Sequence, residues 1–282
     1  MALAVPDTTT HLSDRHFRTL ARLIEGQVGI KLPAAKRLML EGRLQKRVRA
    51  LNCDDVNDYV ENLFETGQFD SELPHLIDVV TTNKTDFFRE PLHFTFMREV
   101  AVPALMKPHG RTSLKVWSAA ASAGMEAYTV AMVLDDMTRT GRRFDFRILG
   151  TDISTAMLRM AKTAIYTRDV LAPVSPEFIK RYFLRSRDRA SDEVRVVPEL
   201  RRLSNFMRMN LMDPSYPVDR DVDIIFCRNV LIYFEKEIQR KVVEQLCCHL
   251  RSGGYLMVGH SESMVHSLVP GLKQIQPTVF RV

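Results

Sequence analysis

Four stretches of this 282-residue chain place polar or very small side chains where chemistry is possible, and three of them terminate apolar runs that read as β-strands. The first is Trp117-Ser118-Ala119-Ala120-Ala121-Ser122-Ala123-Gly124, small residues leading into a helical stretch from Ala127. Small side chains let a ligand approach the backbone, and a helix start offers unpaired N–H donors. The turn suits a nucleotide, although it lacks the full dinucleotide fingerprint and an ordinary strand-to-helix turn reads the same way. The second stretch, Gly150-Thr151-Asp152, ends a strand in a carboxylate that can accept both hydroxyls of a ribose or, alternatively, cap the helix from Ser154. The third, Phe226-Cys227-Arg228-Asn229-Val230-Leu231-Ile232-Tyr233-Phe234, brings a guanidinium, an amide and a phenol to the end of a buried strand. Those groups suit a pocket for cofactor and substrate, with a turn and a satisfied core tyrosine as the plainer alternative. The fourth, Thr81-Thr82-Asn83-Lys84-Thr85-Asp86-Phe87-Phe88-Arg89-Glu90, combines hydroxyl and amide side chains with an aromatic pair and an arginine. Linkers seldom need aromatic anchors.

The elements that must hold these stretches fall into two textures. From His11 to about Val80, apolar positions at Phe17, Leu20, Ile24 and again at Leu40, Leu44, Val48, Leu51 recur at helical spacing. Ser13 is an acceptable N-cap, Gly26 and Gly29 close the first helix, and Pro33 precedes the next. Residues 1–80 therefore read as a small all-α domain and 81–110 as a linker and the start of a second domain. From Leu114 short β-rich runs alternate with helical stretches, the pattern of a parallel sheet covered on both faces. Strands are predicted at Leu114–Trp117, Phe146–Gly150, Val222–Phe226, Gly254–Val258 and Thr278–Val282. Helices are predicted near Ala127–Arg139, Ser154–Ile165, Lys236–Leu250 and Met264–Leu268. Residues 171–207 break the alternation with a helix-like piece, a polar turn and two β-like runs, Val194–Val197 and Leu203–Met209, and so read as a β-subdomain inserted into residues 111–282.

Composition narrows the class. A hydrophobic fraction of 45% with 26% charged residues is that of a folded globular chain. The apolar runs are strand-sized, and a bilayer needs about 20 consecutive apolar residues. Met1 to Thr10 lacks the features of a secretory signal and reads as a loose cytoplasmic tail. Cys53, Cys227, Cys247 and Cys248 have no disulfide or zinc spacing and read as reduced, buried thiols; no metal is expected. The net charge of +6 fits an acidic partner or a nucleic acid. The basic residues, however, concentrate on one helix without interleaved aromatics for base stacking, which argues against nucleic acid.

Together the four stretches, with Thr151-Asp152-Ile153, Asn210-Leu211 and Gly259-His260-Ser261-Glu262, resemble the chemotaxis receptor methyltransferase (CheR) family. The likeness runs in order from Leu12 to Val282. It implies a helical N-terminal domain and an α/β, Rossmann-like methyltransferase domain carrying the inserted β-subdomain. It implies S-adenosylmethionine as cofactor, S-adenosylhomocysteine as product, and esterification of glutamate side chains on methyl-accepting chemotaxis receptors during sensory adaptation. By the same resemblance Asn83, Thr85, Arg89, Ala120, Glu126, Asp152, Asn210, Leu211, Arg228 and Asn229 are cofactor contacts, and Arg89 and Tyr233 are the catalytic pair nearest the transferred methyl group. The enzyme would be cytoplasmic, recruited to membrane receptor arrays without inserting into the bilayer. One departure stands out. Where the family reads Ser-Thr-Gly-Glu-Glu-Pro-Tyr, this chain reads Ser122-Ala123-Gly124-Met125-Glu126-Ala127-Tyr128, so a hydroxyl, one carboxylate and a proline are missing and Glu126, the second acid, remains. Met125 and Ala127 also motivate a second reading, a catalytically weak regulatory module that binds S-adenosylmethionine or S-adenosylhomocysteine.

Partner contacts are expected on the helical domain. Lys31–Arg49 holds seven basic residues against one acid, and Lys36, Arg43, Lys46 and Arg47 share one arc at about 100° per residue, beside the apolar arc. Such a face is either solvated or a dock, and the resemblance favours docking onto acidic methylation helices of receptors. In part of the family the inserted subdomain also adds a receptor C-terminal peptide as a strand; here the turn Ser186–Glu193 has no glycine.

Overall fold

The computed structural model describes residues 11–65, 67, 69–107, 112–141, 143–188 and 190–282. The tail expected at Met1 to Thr10 lies outside them. The chain divides into two compact units, Met1–Thr82 and Asn83–Val282. No helix among the described residues is long and apolar enough to cross a membrane.

The first unit is helical: α1 (Asp14–Val28), α2 (Arg37–Leu51), α3 (Val56–Glu65) and α4 (Phe69–Val80). Ser13 caps α1 by accepting from the His16 amide (3.1 Å), and Gly29 closes it at φ 73°, a left-handed conformation that glycine adopts without a Cβ clash. Phe17, Leu20 and Ile24 of α1 and Leu40, Leu44 and Val48 of α2 are buried as their spacing requires. Leu51, expected in the same stripe, is instead 42% exposed at the end of α2.

Beneath the apolar stripe lies a buried ion pair. Arg47 places Nε and a terminal nitrogen each 2.7 Å from the two oxygens of Glu72, and the Tyr59 hydroxyl donates to the same carboxylate at 3.0 Å. The Glu72 hydrogen bond raises the Arg47 pKa, and burial, then the Glu72 charge, raises that of Tyr59. Arg43 donates to the carbonyls of Val80 (2.6 Å) and Thr81 (3.0 Å), covering acceptors that the end of α4 leaves open. Two of the four cations expected to face a receptor are thus engaged inside the helical unit, Arg47 at the boundary of the apolar face and Arg43 at a helix end, whereas Lys46 is exposed. Truncating Arg47 to Ala leaves the Glu72 charge buried without its partner, and we expect it to cost about 3–5 kcal/mol in denaturant unfolding. A change below about 1 kcal/mol would contradict this account of the pair.

In the second unit a seven-stranded sheet has the order β6-β2-β1-β7-β8-β10-β9. Its strands are β1 (Ser113–Ala119), β2 (Asp145–Asp152), β6 (Ser204–Arg208), β7 (Val222–Cys227), β8 (Leu250–Val258), β9 (Lys273–Gln276) and β10 (Val279–Arg281). The five from β6 to β8 are parallel, while β10 and β9 pair antiparallel at the edge. The crossovers carry α7 (Met125–Thr140), α8 (Thr155–Thr163), α10 (Pro198–Leu203) and α11 (Lys236–His249). Every residue of β7 is buried, as expected of a central strand covered on both faces.

A second, three-stranded antiparallel sheet of order β3-β5-β4 is built from β3 (Ile165–Thr167), β4 (Phe183–Arg185) and β5 (Glu193–Val196), with α9 (Pro176–Tyr182) before β4. This corrects the expected limits of the inserted subdomain. It begins at Ile165, before 171, and the run Leu203–Met209 is no part of it: β6 pairs with β2 from Ile148↔Ser204 to Asp152↔Arg208. The reason is burial. As an edge strand, β6 buries only alternate residues, Ser204 and Phe206, and so imitates a small antiparallel strand in sequence. The stretch expected as linker also carries structure, α5 (Leu92–Phe96), a π turn (Met97–Ala101) and α6 (Val102–Met106). Pro103, which lacks an N–H, follows the π turn. Cys227 is buried, but Cys248 is exposed, against expectation.

Candidate active site

Strand register gathers the site. Ala119 of β1 is level with Thr151 of β2 and with Cys227 of β7, and Cys227 is level with Val258 of β8. The residues that follow, Ala120, Asp152, Arg228 and Gly259, therefore lie together at one carboxyl edge of the sheet. From β1 the chain proceeds to β2 and β6 on one side, while β7 and β8 lie on the other, so this edge holds the topological switch point where open α/β sheets bind ligands.

The backbone is contorted there. Ala120 (φ 70°), Ser122 (φ 49°), Asn229 (φ 58°), Phe88 (φ 54°) and Glu90 (φ 54°) all sit in the left-handed region although none is glycine. Such conformations cost roughly 1–3 kcal/mol each and persist where surrounding structure over-determines them. Gly124 joins them at φ 84°, and a Cβ there would meet the Ala161 Cβ at 2.8 Å. Met125, which stands where the family has an acid, is the first residue of α7 and is buried in the hydrophobic core.

Asp152 organises the β1–α7 turn. One carboxylate oxygen accepts from the Ser122 amide (2.7 Å) and the other from the Ser154 amide (2.9 Å). Asp152 is not the cap of α8: it braces the start of that helix through the Ser154 amide, and Ser154 is the cap, accepting from the Met157 amide. Asn210 and Leu211 follow β6 at the same edge, where the Met209 amide donates to the Asp152 carbonyl at 2.9 Å.

The segment from Asn83 to Glu90 closes over the β1 and β7 ends. The Ser122 hydroxyl donates to the Asn83 carbonyl (2.9 Å), and the Phe88 amide donates to the Thr129 hydroxyl (3.2 Å). Phe87 is fully buried between the rings of Tyr166 (5.4 Å) and Phe183 (5.3 Å), both edge-on. Arg89 donates to the Lys84 carbonyl at 3.0 Å. Thr85 is half-buried in this segment, and Tyr233 is half-buried at the end of a 3₁₀ turn, Leu231–Tyr233.

Arg228 is the hub. Its side chain is 2% exposed and lies between two carboxylates, Glu126 (2.8 Å) and Glu90 (3.2 Å), while it also donates to the Arg89 carbonyl. Glu126 accepts in addition from the Ser118 hydroxyl (2.7 Å). Burial pushes the Glu90 carboxyl up, but the Asn229 amide (3.1 Å) and the Arg228 guanidinium outweigh it and hold the group below the usual range. Sequence reasoning assigned no role to Glu90 or Glu262, although both lie within the quoted stretches; their contacts join segments 139 and 33 residues apart.

Beside this hub His93 is buried, with Nε2 2.7 Å from the Thr278 hydroxyl. Burial, reinforced by Arg228 and His260 and opposed by Glu90, lowers its pKa from 6.5 to about 4. The unfolded chain therefore binds the extra proton first, and His93 contributes stability that is intact above about pH 6.5 and is lost as pH falls toward about 4. We expect His93→Gln to flatten the fall of the unfolding midpoint across that window, and superimposable slopes in the two proteins would refute this.

Comparisons with known proteins identify the family. Residues 15–81 match the family described as "CheR methyltransferase, all-alpha domain", and residues 83–279 match "CheR methyltransferase, SAM binding domain". The chain belongs to the CheR methyltransferase family. Among its relatives is a chemotaxis protein methyltransferase of Escherichia coli, 38% identical over 260 residues that cover 90% of this chain and 86% of the relative. That of Salmonella typhimurium is 39% identical over 254 residues, 89% and 85% of the two chains. That of Borreliella burgdorferi is 32% identical over 266 residues, 93% and 92%. This CheR protein is thus an S-adenosylmethionine-dependent methyltransferase of chemotaxis, as the resemblance implied. Among the described residues no group of three or more His, Cys, Asp or Glu is placed to hold a metal ion.

Proposed function

We propose that this CheR protein esterifies glutamate side chains of methyl-accepting chemotaxis receptors, with Arg89 and Tyr233 gripping the substrate carboxylate. The observation that carries the reading is that Arg228 holds the Arg89 carbonyl and Asn229 holds Glu90, while the Asn229 backbone amide and that of Ile232, next to Tyr233, share the Glu262 carboxylate. A guanidinium and a phenol are the donors that a carboxylate accepts.

The chain's residues fit the cofactor. The Asp152 carboxylate accepts the Ser122 and Ser154 amides at the carboxyl edge of the sheet, where an acidic side chain suits the hydroxyls of a ribose. Ala120, small and in the left-handed conformation, lets a ligand approach the backbone closely. Glu126 and Arg228, paired with each other at 2.8 Å, are the proposed neighbours of the amino-acid end. Asn83, Thr85, Asn210, Leu211 and Asn229 complete the proposed contacts. S-adenosylmethionine supplies, when bound, an electrophilic methyl group on a sulfonium.

A glutamate carboxyl, with a pKa near about 4.3, is already an anion at neutral pH, so the reaction needs no general base. What the protein supplies is alignment, which is worth several kcal/mol of barrier on its own. Because anion and sulfonium neutralise one another in the reaction, a cation clamped on the attacking oxygen would stabilise the reactants more than the transition state. Arg89 therefore holds the non-attacking oxygen, and the Tyr233 hydroxyl fixes the carboxylate plane. Lys36 and Lys46 remain candidates for contact with acidic receptor helices, and the subdomain for a receptor tail. The chain acts in the cytoplasm beside membrane receptor arrays. Incubation with methyl-labelled S-adenosylmethionine and receptor cytoplasmic fragments should leave base-labile label on receptor glutamates. Base-stable label would exclude an ester, and cofactor binding without any transfer would favour the regulatory module.

A further inference from the structure

Glu262 belongs to Gly259-His260-Ser261-Glu262, a stretch to which the reaction described so far assigns no task. It is 5% exposed and sits in a 3₁₀ segment, His260–Ser267, that follows β8. One oxygen accepts from the Gly259 amide (2.6 Å) and the Asn229 amide (2.9 Å); the other accepts from the Ile232 amide (3.3 Å). Gly259 is glycine for want of space, since a Cβ would lie 2.6 Å from Asn229 Nδ2 and 2.8 Å from the Glu262 carboxylate. The amides of Asn229 and Ile232 lie outside regular strand and α-helix, and backbone donors left buried without an acceptor are costly. Burial raises the Glu262 pKa, while the backbone amides around it draw it back down. Every named partner is an N–H, so the site is built for an acceptor on both oxygens.

We propose that Glu262 is a positioning residue: it locks the Asn229 backbone and the turn presenting Tyr233 to the end of β8, so that cofactor and substrate carboxylate share one frame. This rests on the roles proposed above for Asn229 and Tyr233. A glutamine separates the two halves of the lock. Its amide has one acceptor oxygen, which serves most N–H groups where it faces Gly259 and Asn229, leaving its NH₂ opposed to the Ile232 amide.

The test uses the full chain. E262Q should keep S-adenosylhomocysteine affinity within about threefold of wild type while kcat falls by about tenfold or more, the signature of lost alignment and retained binding. In a Y233F background the further effect of E262Q should shrink below about threefold, because the two changes then remove the same alignment. A fluorotyrosine at 233 should report a shifted or broadened resonance in E262Q. Unchanged kcat, an undiminished loss in the Y233F background or an unchanged resonance would each overturn the proposal. Wild-type turnover in Y233F alone, with a shifted resonance in E262Q, would instead remove the catalytic role of Tyr233 and leave the lock in place. If E262Q does not fold, Gly259→Ala provides the second variant: by displacing Asn229 it should weaken S-adenosylhomocysteine binding by about fivefold or more, and unchanged affinity would overturn the proposal.

Discussion

Replacing Asp152 with alanine will weaken S-adenosylhomocysteine binding by about 100-fold or more, read by titration calorimetry on protein whose folding has been checked. Two charge-assisted hydrogen bonds to a ribose are worth about 1.5–3 kcal/mol each, and every 1.4 kcal/mol is a factor of about ten in affinity. The same change strips acceptors from the Ser122 and Ser154 amides, so the β1–α7 turn loosens as well. Asp152→Asn separates the two effects. It keeps one acceptor, and should bind between the alanine variant and wild type. Affinity within about fivefold of wild type in Asp152→Ala would remove the ribose assignment, because no pair of charged hydrogen bonds is that weak in a buried site.

Truncating Arg89 to alanine will lower turnover on receptor fragments by about 100-fold or more, the scale expected when a reacting group is misplaced by about 1 Å. The backbone of the Arg89 loop should survive the truncation, because it is held by groups other than its own guanidinium. Arg228 donates to the Arg89 carbonyl, and Phe87 is wedged between Tyr166 and Phe183. Arg89→Lys should rescue little, since an ammonium cannot reproduce the planar fork. Turnover within about threefold of wild type in a folded Arg89→Ala protein would take the substrate carboxylate away from this loop.

Much of the fold was legible in the chain. The helical spacing of Phe17, Leu20 and Ile24, the cap at Ser13 and the stop at Gly29 recur in α1 as read. The five predicted strands all appear in the large sheet, because short runs rich in β-branched and aromatic residues and bounded by polar turns favour extended chain. The limits of the small sheet were not legible. Its strands are three or four residues long, and β6 shows the half-buried alternation of a surface strand although it extends the parallel sheet. Nor was the fate of the basic helix. Seven cations against one acid describe a charged face, but whether Arg47 meets a receptor or Glu72 depends on a helix that starts 18 residues after α2 ends.

The same division holds at the site. By itself the sequence determined the residue types in four stretches, three of them at strand ends, and through them the family and the cofactor, since side-chain chemistry and its order along the chain are properties of the chain alone. Only the tertiary structure decided that Arg228 binds Glu90 and Glu126 together, that His93 is kept neutral, and that a single carboxylate at Glu262 ties Asn229 to the Tyr233 turn. Those contacts join segments far apart in sequence, and their strength comes from burial, which excludes water and leaves each donor with one acceptor to find.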